Sequence, residues 1–228
     1  MKAGIVYTST TPELIAMLNS EVKQVLGDVE IYEQQDPSIL AEVREAGFVT
    51  AAPAARLVTM YMNAVREGCD AILNVCSSVG EVADAAQTIA EYTGIPIVRI
   101  DLEMCREAVR RAAEAGNRIG VMGTLATTMD PTIRTVERAA RSMNRHPEIV
   151  PCLVEGAFGL DQEAFKKRMG ESALSIADRV DVIVVAQGSM ADCEEYIAEL
   201  TGRCVLSSPH LGVLDLKKAL ESKGACHA

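Results

Sequence analysis

Two segments of this chain, 111 residues apart, are near copies, and any fold it adopts must accommodate both. Asp70-Ala71-Ile72-Leu73-Asn74-Val75-Cys76-Ser77-Ser78-Val79 aligns with Asp181-Val182-Ile183-Val184-Val185-Ala186-Gln187-Gly188-Ser189-Met190 at that constant offset. Each is an Ile- and Val-rich run that ends in small polar residues and opens into a helical pattern. That pattern predicts a strand, a tight turn and a helix start. Gly4-Ile5-Val6-Tyr7-Thr8-Ser9 resembles Gly120-Val121-Met122-Gly123-Thr124 in the same way, a strand ending in hydroxyl residues. The copies differ at one decisive position, where the first carries the thiol of Cys76 and the second the amide of Gln187. The chain therefore reads as a duplicated α/β unit whose related sites hold one cysteine, not two.

Short β-branched runs alternate with longer helical patterns almost throughout. Strands are expected at 3–8, 28–33, 70–75, 95–100, 118–123, 149–154, 181–187 and 203–207. Helices are expected at 12–26, 51–67, 79–93, 102–115, 131–143, 161–178, 191–201 and 211–222. Such alternation implies parallel sheets with right-handed crossovers. The expected fold class is α/β, with two pseudo-symmetric Rossmann-like lobes. Residues 1–98 plus 206–228 form the first lobe and 99–205 the second. Ligands of open α/β sheets bind beyond the carboxyl ends of the strands, so an active site is expected at the lobe interface, lined by turns from both halves.

Capping signals sharpen the helix starts. Thr10 precedes Glu13 by three residues with Pro12 in the first turn, Ser78 stands three before Glu81, and Ser189 three before Asp192. Asp130-Pro131 reads as an N-cap followed by a first-turn proline. Gly27, Gly68, Gly94 and Gly116 read as stops. The tail after Ser222 reads as frayed.

A net charge of −10 argues against nucleic acid or an anionic membrane surface as partner. A small anionic ligand is still allowed, because local backbone dipoles govern a pocket. The N-terminus shows no signal-peptide pattern and no apolar run approaches a membrane span. The seven cysteines form no CxxC pair and no Cys/His metal spacing, so free thiols, a cytoplasmic setting and no metal are expected.

Cys76 is the sharpest candidate for chemistry. A thiol at a strand end and helix start meets backbone N–H groups that can lower its pKa from about 8.5 towards neutral. The other thiols, Cys69, Cys105, Cys152, Cys193 and Cys204, are expected to pack as small hydrophobes, with Cys226 in the tail. The hydroxyl-rich turns form the second feature. Thr8, Ser9 and Thr10, then Asn74, Ser77 and Ser78, then Thr124, Thr127 and Thr128, then Gly188 and Ser189 could offer donors to carboxylates. Most such hydroxyls act only as caps. His210, in Ser207-Ser208-Pro209-His210, is a candidate acid near a strand end, although a lone loop His is more often solvated. No Arg stands visibly at a strand-end turn, which leaves open whether one or two carboxylates are bound. HExxH, GxSxG, GxxxxGK[ST] and GxGxxG patterns are missing.

On Asn74-Val75-Cys76-Ser77-Ser78, on Gly120-Val121-Met122-Gly123-Thr124-Leu125-Ala126-Thr127-Thr128 and on the strand at 181–186, the chain resembles the aspartate/glutamate/hydantoin racemase superfamily. That cofactor-independent group also contains maleate isomerase and arylmalonate decarboxylase. The resemblance spans essentially the whole chain and implies two α/β lobes, a small carboxylic-acid substrate and a homo-oligomer, a dimer or higher. It also implies catalysis by two thiols on opposite faces of a substrate carbon, one removing a proton and the other supplying one. Cys76 matches the first thiol, and Gln187 stands where the second should be. An amide can hydrogen-bond but cannot exchange a proton near neutral pH. Three functions follow: a single-thiol isomerase, a lyase such as a decarboxylase, or a non-catalytic carboxylate binder.

Overall fold

The computed structural model describes residues 1–157 and 159–226. In chain order its elements are β1 (Lys2–Tyr7), α1 (Pro12–Leu26), β2 (Glu30–Gln35), α2 (Pro37–Ala46), α3 (Ala51–Arg66), β3 (Ala71–Val75), α4 (Gly80–Thr93) and β4 (Ile97–Arg99). They continue with α5 (Leu102–Ala113), β5 (Arg118–Gly123), α6 (Ala126–Ser142), β6 (Glu148–Leu153), α7 (Gln162–Ile176), β7 (Val182–Val185), α8 (Glu194–Thr201), β8 (Cys204–Leu206) and α9 (Ser208–Cys226). Two compact units result, Met1–Ile100 with the chain from Pro209 onward, and Asp101–Ser208.

Each unit holds a four-stranded parallel sheet. The orders are β2-β1-β3-β4 and β6-β5-β7-β8, the same topology twice. Central strands β3 and β7 are buried throughout, whereas edge strands β2 and β6 alternate with exposed positions. The period-2 alternation of a strand sorts the first sheet's core into two layers. Ile5, Tyr7, Leu73 and Val75 pack with Leu14, Leu18, Val213 and Leu216 on the face covered by α1 and α9. Val6 and Ile72 pack with Ile39, Leu57, Tyr61 and Ala83 on the face covered by α2, α3 and α4. Burying each such aliphatic side chain contributes roughly 1.5–3 kcal/mol. In the second unit Met122, Ile183 and Val185 share a cluster with Met169, Ala173 and Ile197 of α7 and α8.

The duplication reaches individual atoms. The Gly4↔Ile72 pairing of β1 with β3 recurs as Gly120↔Ile183 between β5 and β7. Asp36 N donates to Tyr7 O at 3.0 Å, and Val154 N to Gly123 O at 2.8 Å. Before β3 the Asp70 carboxylate accepts from Lys2 N at 2.9 Å, and before β7 the Asp181 carboxylate accepts from Arg118 N at 3.0 Å. These register marks make Thr8 the counterpart of Thr124, and Cys76 the counterpart of Gln187.

The Arg118 guanidinium beside Asp181, helped by the backbone N–H, holds that carboxyl below the usual carboxylate range. A depressed folded-state pKa gives stability that is present above the unfolded value and lost as pH falls through the folded one. Urea titrations should therefore find Asp181→Asn less stable than wild type at pH 7, with the difference shrinking below about pH 4.

All eight expected strands are present, within a few residues of their expected ends. Helix starts differ more. The cap of α1 is Thr11, whose side chain accepts from Leu14 N at 3.4 Å, rather than Thr10. Neither Ser78 nor Ser189 caps an α-helix, because a 3-10 turn follows each strand first, Ser77–Val79 before α4 and Gly188–Cys193 before α8. α6 begins at Ala126, so Pro131 lies inside it instead of at its start. Thr132 and Thr135 hydroxyls donate to the carbonyls of Thr128 and Pro131, four residues back, within that stretch. α2 lies outside the expected helices, although Asp36 caps it, Pro37 opens it and left-handed Gly47 ends it. After α5 the left-handed residue is Asn117, not Gly116. Gly116 is small for another reason, since a Cβ there would press on the Asp181 carboxylate at 2.6 Å. α9 continues past Ser222 to Cys226, and the last two residues of the expected frayed tail lie outside the described residues, as does the Cys226 side chain.

Candidate active site

In the first unit the candidate residues lie at the carboxyl ends of β1, β3 and β4. Register sets Val6, Asn74 and Arg99 side by side, and Tyr7 beside Val75. One step further along, Thr8 and Cys76 become neighbours. Cys76 has an extended backbone (φ −168°, ψ 120°) and leads into the 3-10 turn. It is half-buried, whereas Ser77 and Ser78 after it are buried.

Beneath the thiol lies a polar layer in an otherwise apolar core. The Tyr61 hydroxyl of α3 donates to Asn74 Oδ1 at 2.9 Å, and Asn74 Nδ2 donates to the Cys76 carbonyl at 3.0 Å. Asn74 is fully buried, and its amide is engaged inside the protein at both ends. Burial pushes the Tyr61 phenol well above its ordinary value, with Cys76 adding to the shift and Arg99 opposing it. Arg99 is only 1% exposed and pairs with the Asp84 carboxylate of α4 at 2.5 Å. The guanidinium lies against Gly80, where any Cβ would overlap it. The expectation that no Arg stands at a strand end is corrected here: Arg99 is the last residue of β4. A charge inside the apolar run Ile95-Pro96-Ile97-Val98-Arg99-Ile100 was the available signal, since buried charges need partners. Tyr61, Gly80 and Asp84 carried no comparable mark.

Thr8 is fully buried, and its hydroxyl has no hydrogen-bond partner within the protein; the Tyr7 hydroxyl shares that condition. Burial, aided by the Glu33 charge, pushes the Tyr7 phenol up. Ser9 and Thr10 are half-buried on the same turn.

The second unit answers its own corresponding question differently. Thr124 N and Thr124 Oγ1 both donate to Gln187 Oε1, at 2.7 and 3.0 Å. The amide oxygen thus takes the two donors that the β5 turn presents. Gly188 is half-buried and Ser189 exposed. Thr128 is buried, and the buried Thr127 hydroxyl has no partner within the protein. His210 sits on the first turn of α9, exposed, with Nδ1 2.8 Å from the Glu21 carboxylate of α1.

Cys69, Cys105 and Cys193 are buried, and Cys152 and Cys204 half-buried. Burial pushes the Cys69, Cys152, Cys193 and Cys204 thiols up, Cys193 to about 11. Such thiols are poor nucleophiles and bases near neutral pH. Among the described residues no group of three or more His, Cys, Asp or Glu is arranged to hold a metal ion, and no helix is long and apolar enough to cross a membrane.

A parallel four-stranded α/β unit, present twice with the same strand order, defines the fold class. The Asp/Glu/Hydantoin racemase family model matches residues 4–216, and the chain belongs to that family. Solved structures share its fold at low identity. Glutamate racemase isoform RacE1 from Bacillus anthracis is 17% identical with a TM-score of 0.70, over 97% of this chain and 82% of that one. Allantoin racemase from Klebsiella pneumoniae is 14% identical with a TM-score of 0.68, over 100% and 89%. Unliganded arylmalonate decarboxylase is 14% identical with a TM-score of 0.57, over 96% and 92%. No curated protein sequence matches the chain.

Proposed function

We propose that this protein is a cofactor-independent isomerase that acts on a small carboxylic acid, moving a proton at the carbon beside the carboxylate with one thiol, Cys76. The observation that carries this reading is the position of Cys76, half-buried at a strand end, while its counterpart in the duplicated unit is Gln187. Thr8 supports it, since a buried hydroxyl without an internal partner suits a carboxylate or the enediolate formed from it.

Gln187 favours a lyase as the second reading. Its amide oxygen is already bonded to Thr124, and an amide supplies no proton. A decarboxylation needs protonation from one side only, which a lone thiol can provide. A non-catalytic carboxylate binder would retain the pocket yet exchange no proton.

A thermal-shift screen of small mono- and dicarboxylates, repeated after alkylation of Cys76, tests the site. Binding to the folded state raises the melting temperature, and alkylation should erase that rise. A ligand response that survives alkylation unchanged would place the carboxylate elsewhere. Restoring a second thiol provides a further check. Gln187→Cys should increase α-proton exchange with solvent deuterium across a panel of amino and hydroxy acids, and no gain would count against the equivalence of the two turns.

A further inference from the structure

The two units treat the same strand-end position in opposite ways. In the first, the Thr8 hydroxyl is buried and has no hydrogen-bond partner within the protein. In the second, the counterpart Thr124 is buried too, yet its N–H and its hydroxyl both donate to one atom, Gln187 Oε1, at 2.7 and 3.0 Å. The register that pairs Gly4 with Ile72 and Gly120 with Ile183 makes the two turns equivalent. The difference therefore comes from the residue beyond each central strand, Cys76 in one unit and Gln187 in the other. A cysteine side chain ends just beyond Cβ, whereas glutamine carries its amide far enough to reach the turn of the neighbouring strand. A backbone N–H only donates, so the oxygen end of the amide must face that turn. Set between two donors on a planar carbon, this oxygen stands where one oxygen of a bound carboxylate would, without the charge.

We propose that Gln187 is a specificity-determining residue: its carboxamide fills the carboxylate position of the second turn, so the protein takes small monocarboxylic acids, held at the Thr8 turn. This rests on the reading of Thr8 as a carboxylate contact. A tethered side chain competes at the effective concentration that its short linker sets, about millimolar or above. A free weak ligand must exceed that concentration to displace it. Without the amide, two donors in a buried turn would be left unmade, which is costly. A carboxylate would satisfy the same donors about twice as strongly as a neutral amide does. The second turn is thus a carboxylate site kept shut by the protein's own side chain, and one residue sets the preference.

The probe is sodium acetate, titrated into isotope-labelled protein and read at the backbone amide NMR cross-peaks of Thr8 and Thr124, with sodium chloride at equal ionic strength as control. In wild type, acetate should move the Thr8 peak and leave Thr124 in place. In Gln187→Ala both should move, with acetate binding at Thr124 about tenfold tighter than in wild type or more. Gln187→Glu keeps an acceptor oxygen on a side chain of the same length and should leave Thr124 unresponsive. A Thr124 response in wild type or in Gln187→Glu, or none in Gln187→Ala, would overturn the proposal. If circular dichroism shows that Gln187→Ala does not fold, Gln187→Cys, which gives the second turn the residue that the first carries, decides by the same criterion. Butyrate and succinate, matched in carbon number, test the substrate class. Their Kd values for wild type should lie within a few-fold of each other, and a preference of about tenfold for succinate would overturn the proposal as well. Failure of the underlying reading looks different: the Thr8 peak would stay still in wild type, while Thr124 in Gln187→Ala would still report whether the amide closes its turn.

Discussion

Cys76→Ala should lose turnover by about 10²–10⁴-fold, the range that a positioned general acid–base group supplies. Its melting temperature should stay within a few degrees of wild type. The two expectations have separate causes. The side chain is half-buried just beyond the last ladder pair of β3, and it packs against the buried cluster from outside rather than as one of its fully buried members. A small truncation at such a position costs about 1 kcal/mol or less, which in a chain of this length is about 2–4 °C. Chemistry has no such reserve, because Gln187 cannot exchange a proton and the other described thiols are held up by burial or packed inside. Steady-state kinetics on whichever carboxylate passes the thermal-shift screen, with a melting curve of the same preparation, checks both. Wild-type-like turnover in Cys76→Ala would refute the assignment.

Asp84→Ala should produce a large loss of stability. Arg99 is 1% exposed, and its guanidinium is bonded to the Asp84 carboxylate. Removing one member of a fully buried pair typically costs ~3–5 kcal/mol, because the remaining charge is left in a low-dielectric site. Asp84 keeps 24% of its side-chain surface exposed, so water can reach part of the cavity. About 2–3 kcal/mol is therefore expected, below what a fully buried pair would lose. Urea unfolding of Asp84→Ala against wild type measures it. A change below about 0.5 kcal/mol, as for an ordinary surface substitution, would show that Arg99 is held without this carboxylate.

Strands and topology were legible because the signal is redundant. Eight β-branched runs, two of them near copies, leave little choice but a repeated parallel sheet, and the observed registers repeat the offsets of the sequence. Helix starts were less legible. A Ser three residues before an acid looks the same whether an α-helix or a 3-10 turn follows, and at Ser78 and Ser189 the chain takes the tighter turn first. Asp130-Pro131 misled for a related reason, since a proline near a helix start can be accommodated one turn in.

The site was legible only along the chain. Cys76, Thr8, Thr124 and Gln187 mark themselves because each stands at the end of an apolar run. Tyr61, Asp84 and Gly80 lie on helices, where a tyrosine, an acid and a small residue are ordinary. Their roles arise from the partners that the sheet places opposite them, 13 residues away for Asn74 and 15 for Arg99. The Gln187–Thr124 contact, 63 residues apart, was equally invisible until register brought the two turns together.

Proton NMR of single enantiomers in deuterium oxide tests the one-thiol chemistry most directly. Each hand of a responding amino or hydroxy acid is incubated separately with the wild-type protein, and loss of the α-proton signal is followed. A lone thiol serving one face of the carbon predicts wash-in of deuterium from one hand only, and none in Cys76→Ala. Comparable exchange from both hands would mean that a second proton-transferring group stands opposite Cys76, and the single-thiol mechanism would be wrong.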